Sequence, residues 1–149
     1  MSSLSEAIDA SVGTLGKRAC HDLVLRAGWQ GASVAFRFVG TAATMTLDPG
    51  NRTEFFRVIV DGDHLGSARF SASSGVDTVP LVSDLEWGEH TVEVVKETYM
   101  GTNWVLHGLS VTGSEILDAP ETPSRHIEFY GDSNLNGYSL MSEQNESAT

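Results

Sequence analysis

The tripeptide Gly131-Asp132-Ser133 follows an apolar run, Ile127 to Tyr130, in the order that nucleophilic chemistry at a serine asks for. A strand that delivers the chain to a sharp turn leaves a hydroxyl on that turn clear of the sheet, within reach of a substrate carbonyl. Such a serine needs a base for its proton and N–H donors for the oxyanion that forms. Ser133 offers its Oγ as nucleophile and its backbone N–H as one oxyanion donor. By pattern alone the tripeptide is equally a plain turn, the commoner fate of Gly, Asp and Ser together. The sequence ends at Thr149, so a serine site begun here is predicted to be completed outside these residues.

The five histidines, His21, His64, His90, His107 and His126, do not supply the missing base by spacing. They are spread through predicted turns and strands, where surface or edge-strand roles are expected. His126 heads the strand seven residues before Ser133, which puts it about 20 Å from the nucleophile at the rise of an extended chain. No His, Cys or Asp recurs at the tight spacings of a zinc site, and no metal or cofactor is predicted. Aromatic residues offer another chemistry, because an exposed ring stacks on the C–H face of a sugar. Trp87, in the turn Glu86-Trp87-Gly88, and Tyr99, before Gly101, are predicted to be exposed and substrate-binding. Trp29 and Trp104 are expected in the core.

Strands must position all of these. Residues 1–20 are polar with scattered apolar positions and read as a loosely ordered lead-in. Over Ser33–Val39 the residues Val34, Phe36 and Phe38 share one face and Arg37 points the other way, the period of a half-buried strand. Gly40-Thr41 is predicted to end it, and a second strand runs from Thr44 to Leu47, closed by the turn Asp48-Pro49-Gly50-Asn51. Phe55–Val60 is nearly all apolar, which predicts burial on both faces. Ser67–Phe70, Thr78–Val82, Glu89–Lys96 and Trp104–Val111 follow as strands, with Val92, Val94, Trp104, Leu106 and Gly108 facing the core. No helical period emerges between residues 21 and 112. About seven or eight short, one-faced strands bury their apolar sides by stacking two sheets, an antiparallel β-sandwich or jelly roll. Asp118-Ala119-Pro120-Glu121-Thr122-Pro123 then reads as a stiff linker. The predicted organisation is a lead-in over 1–20, a sandwich over 21–117, a Pro-rich linker over 118–124 and a new, incomplete domain over 125–149.

Composition narrows the partners. The 149 residues hold 20 acidic against 9 basic side chains, a formal charge of -11, which argues against nucleic acid and anionic membrane and leaves neutral partners such as carbohydrate. Hydrophobic content of 40% is that of a globular protein. No apolar run reaches the length of a bilayer span. The single cysteine, Cys20, allows no disulfide within the chain. Met1-Ser2-Ser3-Leu4 lacks a basic n-region and an apolar h-region, so a cytosolic chain and one whose signal has been removed are both consistent with it.

The string from Arg125 to Tyr138, Arg-X-Ile-Glu-Phe-X-Gly-Asp-Ser with Gly137-Tyr138 behind it, resembles the first sequence block of SGNH (GDSL-type) hydrolases. It looks most like the two-domain carbohydrate esterases of family 2. The similarity extends back through Gly88–Thr98, Phe55–Gly62 and Ser33–Gly40, and so spans roughly residues 28 to 138. The resemblance implies a jelly-roll domain joined to the opening strand and nucleophile turn of a truncated α/β domain, acting on acylated, chiefly acetylated, plant polysaccharide. In its terms Ser133 matches the nucleophile and Asp132 a turn-shaping aspartate outside the catalytic triad. The later Gly and Asn oxyanion donors and the general-base His have no counterpart here. The chain by itself is therefore expected to be inactive unless the remainder of the catalytic domain joins it, for instance as a separate chain. Acyl transfer to another acceptor and a non-catalytic glycan-binding or scaffolding role are the alternatives. Family resemblance also implies secretion.

Overall fold

The computed structural model describes residues 12–14, 25–99, 103–121, 124–125, 127–133 and 135. These hold eight strands: β1 (Val12–Thr14), β2 (Leu25–Ala27), β3 (Ser33–Asp48), β4 (Glu54–Val60), β5 (Ala68–Ala72), β6 (Asp77–Val82), β7 (Gly88–Lys96) and β8 (Trp104–Ile116). The described residues include no helix. One sheet runs in the order β2-β8-β3-β7-β4-β5, with β6 and β1 added along β3. All pairings are antiparallel except the short parallel one between β1 and Ser33–Ala35. Val12–Thr14 therefore belongs to the sheet, where the sequence predicted only a loose lead-in.

β3 organises the fold because β1, β6, β7 and β8 all pair with it. Its first half pairs with β7 through Ser33–Gly40, and its second half with β6 through Ala43–Leu47, while β8 follows it from Phe38 to Asp48. The inward positions change parity on the way. Val34, Phe36, Phe38 and Gly40 are buried, then Thr41 and Ala42 are both half-buried, then Ala43, Met45 and Leu47 are buried. The ladder with β8 shifts register at the same place. An extra residue in one strand reverses which face each later side chain takes. That reversal makes one 16-residue strand look like two separate strands in the sequence.

Core packing shows that the sheet curls over on itself. β4 and β8 are three ladder steps apart, about 14 Å in a flat sheet, yet the Phe56 and Trp104 rings meet edge to face with centroids 5.4 Å apart. Phe36, Phe38, Phe56, Val92, Val94, Met45, Leu47 and Trp104 are fully buried in a single cluster. Each such side chain contributes about 1.5–3 kcal/mol of transfer free energy. Val92, Val94, Trp104 and Leu106 face the core as predicted; Gly108 is only half-buried. On β4 Glu54, Phe56 and Val58 are buried and Val60 half-buried on one face, while the other carries a buried Ile59 beside half-buried Phe55 and Arg57, so burial on both faces holds only in part.

Two glycines make the bend possible. A Cβ on Gly113 would lie 2.0 Å from the Val39 carbonyl oxygen, and one on Gly40 2.3 Å from that of Thr112. Both obstacles are backbone atoms, which cannot swing aside. Gly113→Ala is expected to lower stability by at least about 1–3 kcal/mol, the cost of overpacking. Gly108→Ala on the same strand, where nothing lies within 4 Å, should be close to neutral. Urea unfolding of the two variants side by side checks this.

Trp29 does not join the core as predicted: it is 65% exposed. It stands in the turn before β3, where its carbonyl accepts from Ala32 N (3.1 Å) and Gly31 takes φ +81, so its side chain leaves the strand alternation altogether. Ile127–Tyr130, predicted as a strand, pairs with no other segment among the described residues. A strand of a parallel sheet exists only through its neighbours' hydrogen bonds, and no neighbouring parallel strand is described. β8 ends at Ile116, Leu117 N donates to Arg37 O (2.9 Å), and the described residues 118–121 carry no strand.

Candidate functional site

Ser133 stands exposed in a turn, with Asp132 exposed beside it. The apolar residues leading to it are also solvent-facing: Ile127 is 74%, Phe129 74% and Tyr130 88% exposed. Gly131 packs closely against Leu135, whose side chain a Cβ there would meet at 2.7 Å. The Tyr130 hydroxyl donates to Glu128 Oε2, and this bond holds the phenol pKa above its usual value. No hydrogen bond among the described residues joins a histidine to Ser133. His21 and His126 lie outside the described residues. Among the described residues the geometry thus presents a hydroxyl and a backbone N–H with no histidine hydrogen-bonded to them.

Trp87 is 66% exposed, as predicted, and Tyr99 half-buried. The fold does not bring them together. Trp87 precedes the first residue of β7 and Tyr99 follows the last, so the nine-residue strand keeps them about 30 Å apart. Trp29 shares the Tyr99 end, because Gly31 N donates to Lys96 O (2.8 Å).

Three charged arrangements escaped the sequence reading. On the inner face Lys96 and Glu54 are both fully buried, with Nζ and Oε2 3.2 Å apart and Lys96 Nζ also donating to Thr98 O (2.8 Å). Parity was the available signal: Lys96 continues the inward series Val92 and Val94, and Glu54 precedes the inward Phe56 and Val58. On the outer face Arg57 Nε donates to Glu97 Oε1 (2.5 Å), Arg69 Nε forms an ion pair with Glu97 Oε2 (2.7 Å), and the Arg69 guanidinium lies 4.6 Å above the Phe55 ring. At the Trp87 end His90 Nδ1 meets Asp61 Oδ2 at 2.8 Å. Among the described residues no three His, Cys, Asp or Glu side chains gather as metal ligands would.

The curled, mainly antiparallel sheet thus ends at Ile116, just before a Pro-containing stretch and the Gly131-Asp132-Ser133 turn. The family model described as carbohydrate esterase 2 N-terminal matches residues 19–120. The chain belongs to that family. This family 2 N-terminal domain is 36% identical over 109 residues to a cellulase/esterase, CelE, of Acetivibrio thermocellus, covering 72% of this chain and 13% of the relative. It is 30% identical over 132 residues to an acetylxylan esterase / glucomannan deacetylase of Cellvibrio japonicus, covering 85% of this chain and 36% of the relative. Among solved structures, a family 2 carbohydrate esterase from Clostridium thermocellum in complex with cellohexaose superposes with a TM-score of 0.65 at 34% identity, over 72% of this chain and 33% of that one. The family 2 enzyme from Cellvibrio japonicus gives 0.62 at 28% identity, over 76% and 34%. The chain spans about a third or less of each of these relatives.

Proposed function

We propose that this family 2 domain leads, through the Pro-rich stretch 118–124, into the opening strand and nucleophile turn of a serine esterase that removes acetyl groups from carbohydrate. The observation that carries this reading is position: Gly131-Asp132-Ser133 begins eleven residues after the matched domain stops at residue 120, with an apolar run directly before it. In the proposed reaction Ser133 Oγ bonds to the ester carbonyl carbon while its proton passes to a base from the later part of the enzyme. The Ser133 N–H is one donor to the tetrahedral oxyanion. Collapse breaks the bond to the sugar oxygen, which takes the proton back. Water, activated by the same base, then releases acetate and frees the serine. A sugar hydroxyl in place of that water would make the same acyl-enzyme an acyltransferase intermediate. Asp132 shapes the turn.

The exposed run Ile127, Phe129 and Tyr130 fits this reading, since an apolar strand left in water is one that still lacks its sheet. The test is hydrolysis of an aryl acetate and of acetylated xylo-oligosaccharide by the enzyme that carries this chain, with and without Ser133→Ala.

A second reading, a non-catalytic glycan-binding module, is favoured by the exposed indoles. Because Trp87 and Tyr99 sit at opposite ends of β7, xylo-oligosaccharide titration of Trp87→Ala and Tyr99→Ala separates two candidate surfaces. Binding lost in one variant alone is the expected outcome and assigns that end. Binding unchanged in both removes these two residues from sugar recognition.

A further inference from the structure

His90 lies at the rim of the core, where β7 begins, and acceptors face both of its ring nitrogens. Nδ1 is 2.8 Å from Asp61 Oδ2 and Nε2 is 2.8 Å from the Glu86 carbonyl oxygen. A neutral imidazole has one N–H and one lone pair, so in either tautomer a lone pair would point at an oxygen at hydrogen-bonding distance. Only the imidazolium, with two N–H donors, satisfies both contacts. The two acceptors belong to different segments, Asp61 to the turn that closes β4 and Glu86 to the loop between β6 and β7. Asp61 also accepts from Thr91 N (2.8 Å), and Leu85 N donates to Thr41 O (3.0 Å), so one side of the loop is fastened independently of His90. Past Trp87 the chain rejoins the ladder at Gly88, opposite Gly40; between Leu85 and Gly88 the Glu86 carbonyl is held, within the described contacts, by His90 alone.

We propose that His90 is a proton-dependent clamp on the loop between β6 and β7, its imidazolium tying the Glu86 carbonyl down and its neutral form releasing the segment that presents Trp87. The groups around the ring favour the proton. Asp61 faces it from the β4 end, and the acidic Asp84 and Glu86 share the loop. Asp63, on the same turn as Asp61, is turned to its own loop, where it accepts from Leu65 N and Gly66 N. From β3 the neighbour is the uncharged Phe38 ring, with centroids 5.8 Å apart. Arg37 and Glu89 pair with each other at positions of opposite parity, on the other face of the sheet. The Asp61 and Glu86 hydrogen bonds raise the His90 pKa above 6.5, against a smaller desolvation that lowers it. For Asp61 burial raises the pKa, but the His90 and Thr91 hydrogen bonds together outweigh it and the net shift is down. A histidine with a raised folded pKa contributes stability that is full below its unfolded value of 6.5 and lost as pH rises through the folded value. The clamp thus holds fully below pH 6.5 and opens as pH rises through the raised His90 value.

The test follows the His90 ring protons and the Trp87 indole N–H by NMR from about pH 5.5 to about pH 9, spanning the range in which histidines titrate. Trp87→Phe assigns the indole signal. The expected result is one shared midpoint above 6.5 for both signals, and a Trp87 signal that no longer titrates in His90→Gln. Asp61→Asn should move both midpoints down together, and it keeps the test available should His90→Gln not fold. A Trp87 signal that stays constant while His90 loses its proton overturns the proposal, as does a His90 midpoint at or below 6.5. Neither result bears on whether Ser133 is a nucleophile.

Discussion

Lys96→Met is expected to lower the stability of the domain by about 3–5 kcal/mol, a fall in Tm on the order of 10–20 °C. The side chain is fully buried and its ammonium stands 3.2 Å from an equally buried Glu54 carboxylate. Taking away the ammonium leaves that carboxylate in the interior without its counter-ion, and the cost of an uncompensated buried charge exceeds the worth of the pair itself. The double variant Lys96→Met with Glu54→Leu separates those two quantities. It should recover most or all of the loss, because two apolar side chains of similar volume in place of a buried pair are often neutral or better. Thermal and urea unfolding of the single and double variants give the answer. A single variant as stable as the parent would overturn this account of the pair.

On the proposed function, Ser133→Ala should reduce kcat of the enzyme that carries this chain by about 10⁴-fold or more, with KM little changed, as loss of a serine nucleophile does elsewhere. The substitution is selective here. Alanine keeps the backbone N–H that the turn offers as an oxyanion donor and removes only the hydroxyl, and the exposed position has no packing to lose. Retained turnover would exclude Ser133 as the nucleophile. Lost turnover with a preserved melting profile would assign it.

Much of the sheet was legible in the chain because strand burial has period two. Val34, Phe36 and Phe38 against Arg37, or Val92 and Val94 against Glu93, announce their faces without any tertiary information. The same rule hid the most consequential strand. Where the inward series of β3 changes from even to odd positions around Thr41 and Ala42, a local reading finds two strands and a turn instead of one strand and a bulge. The aromatic assignments divided in the same way. Trp104 alternates with Leu106 and is buried; Trp29 looks similar in composition but sits on a turn, and its exposure follows from the chain's direction there. At the Gly131-Asp132-Ser133 turn the order Ile127 to Ser133 could be read directly, but among the described residues the expected strand at Ile127–Tyr130 has no neighbour to bond it.

The sequence alone determined that this is a β-protein of one-faced strands, that its charge disfavours polyanions, and that a serine turn follows a proline-rich stretch, since each of these rests on residue type and near-neighbour order. Tertiary structure alone decided that Lys96 meets Glu54, that His90 meets Asp61 and Glu86, and that Trp87 and Tyr99 lie at opposite ends of one strand. Those contacts join residues 4 to 42 positions apart in the chain. They depend on ladder register and on the curl through β3, and neither is encoded in the period of a single strand.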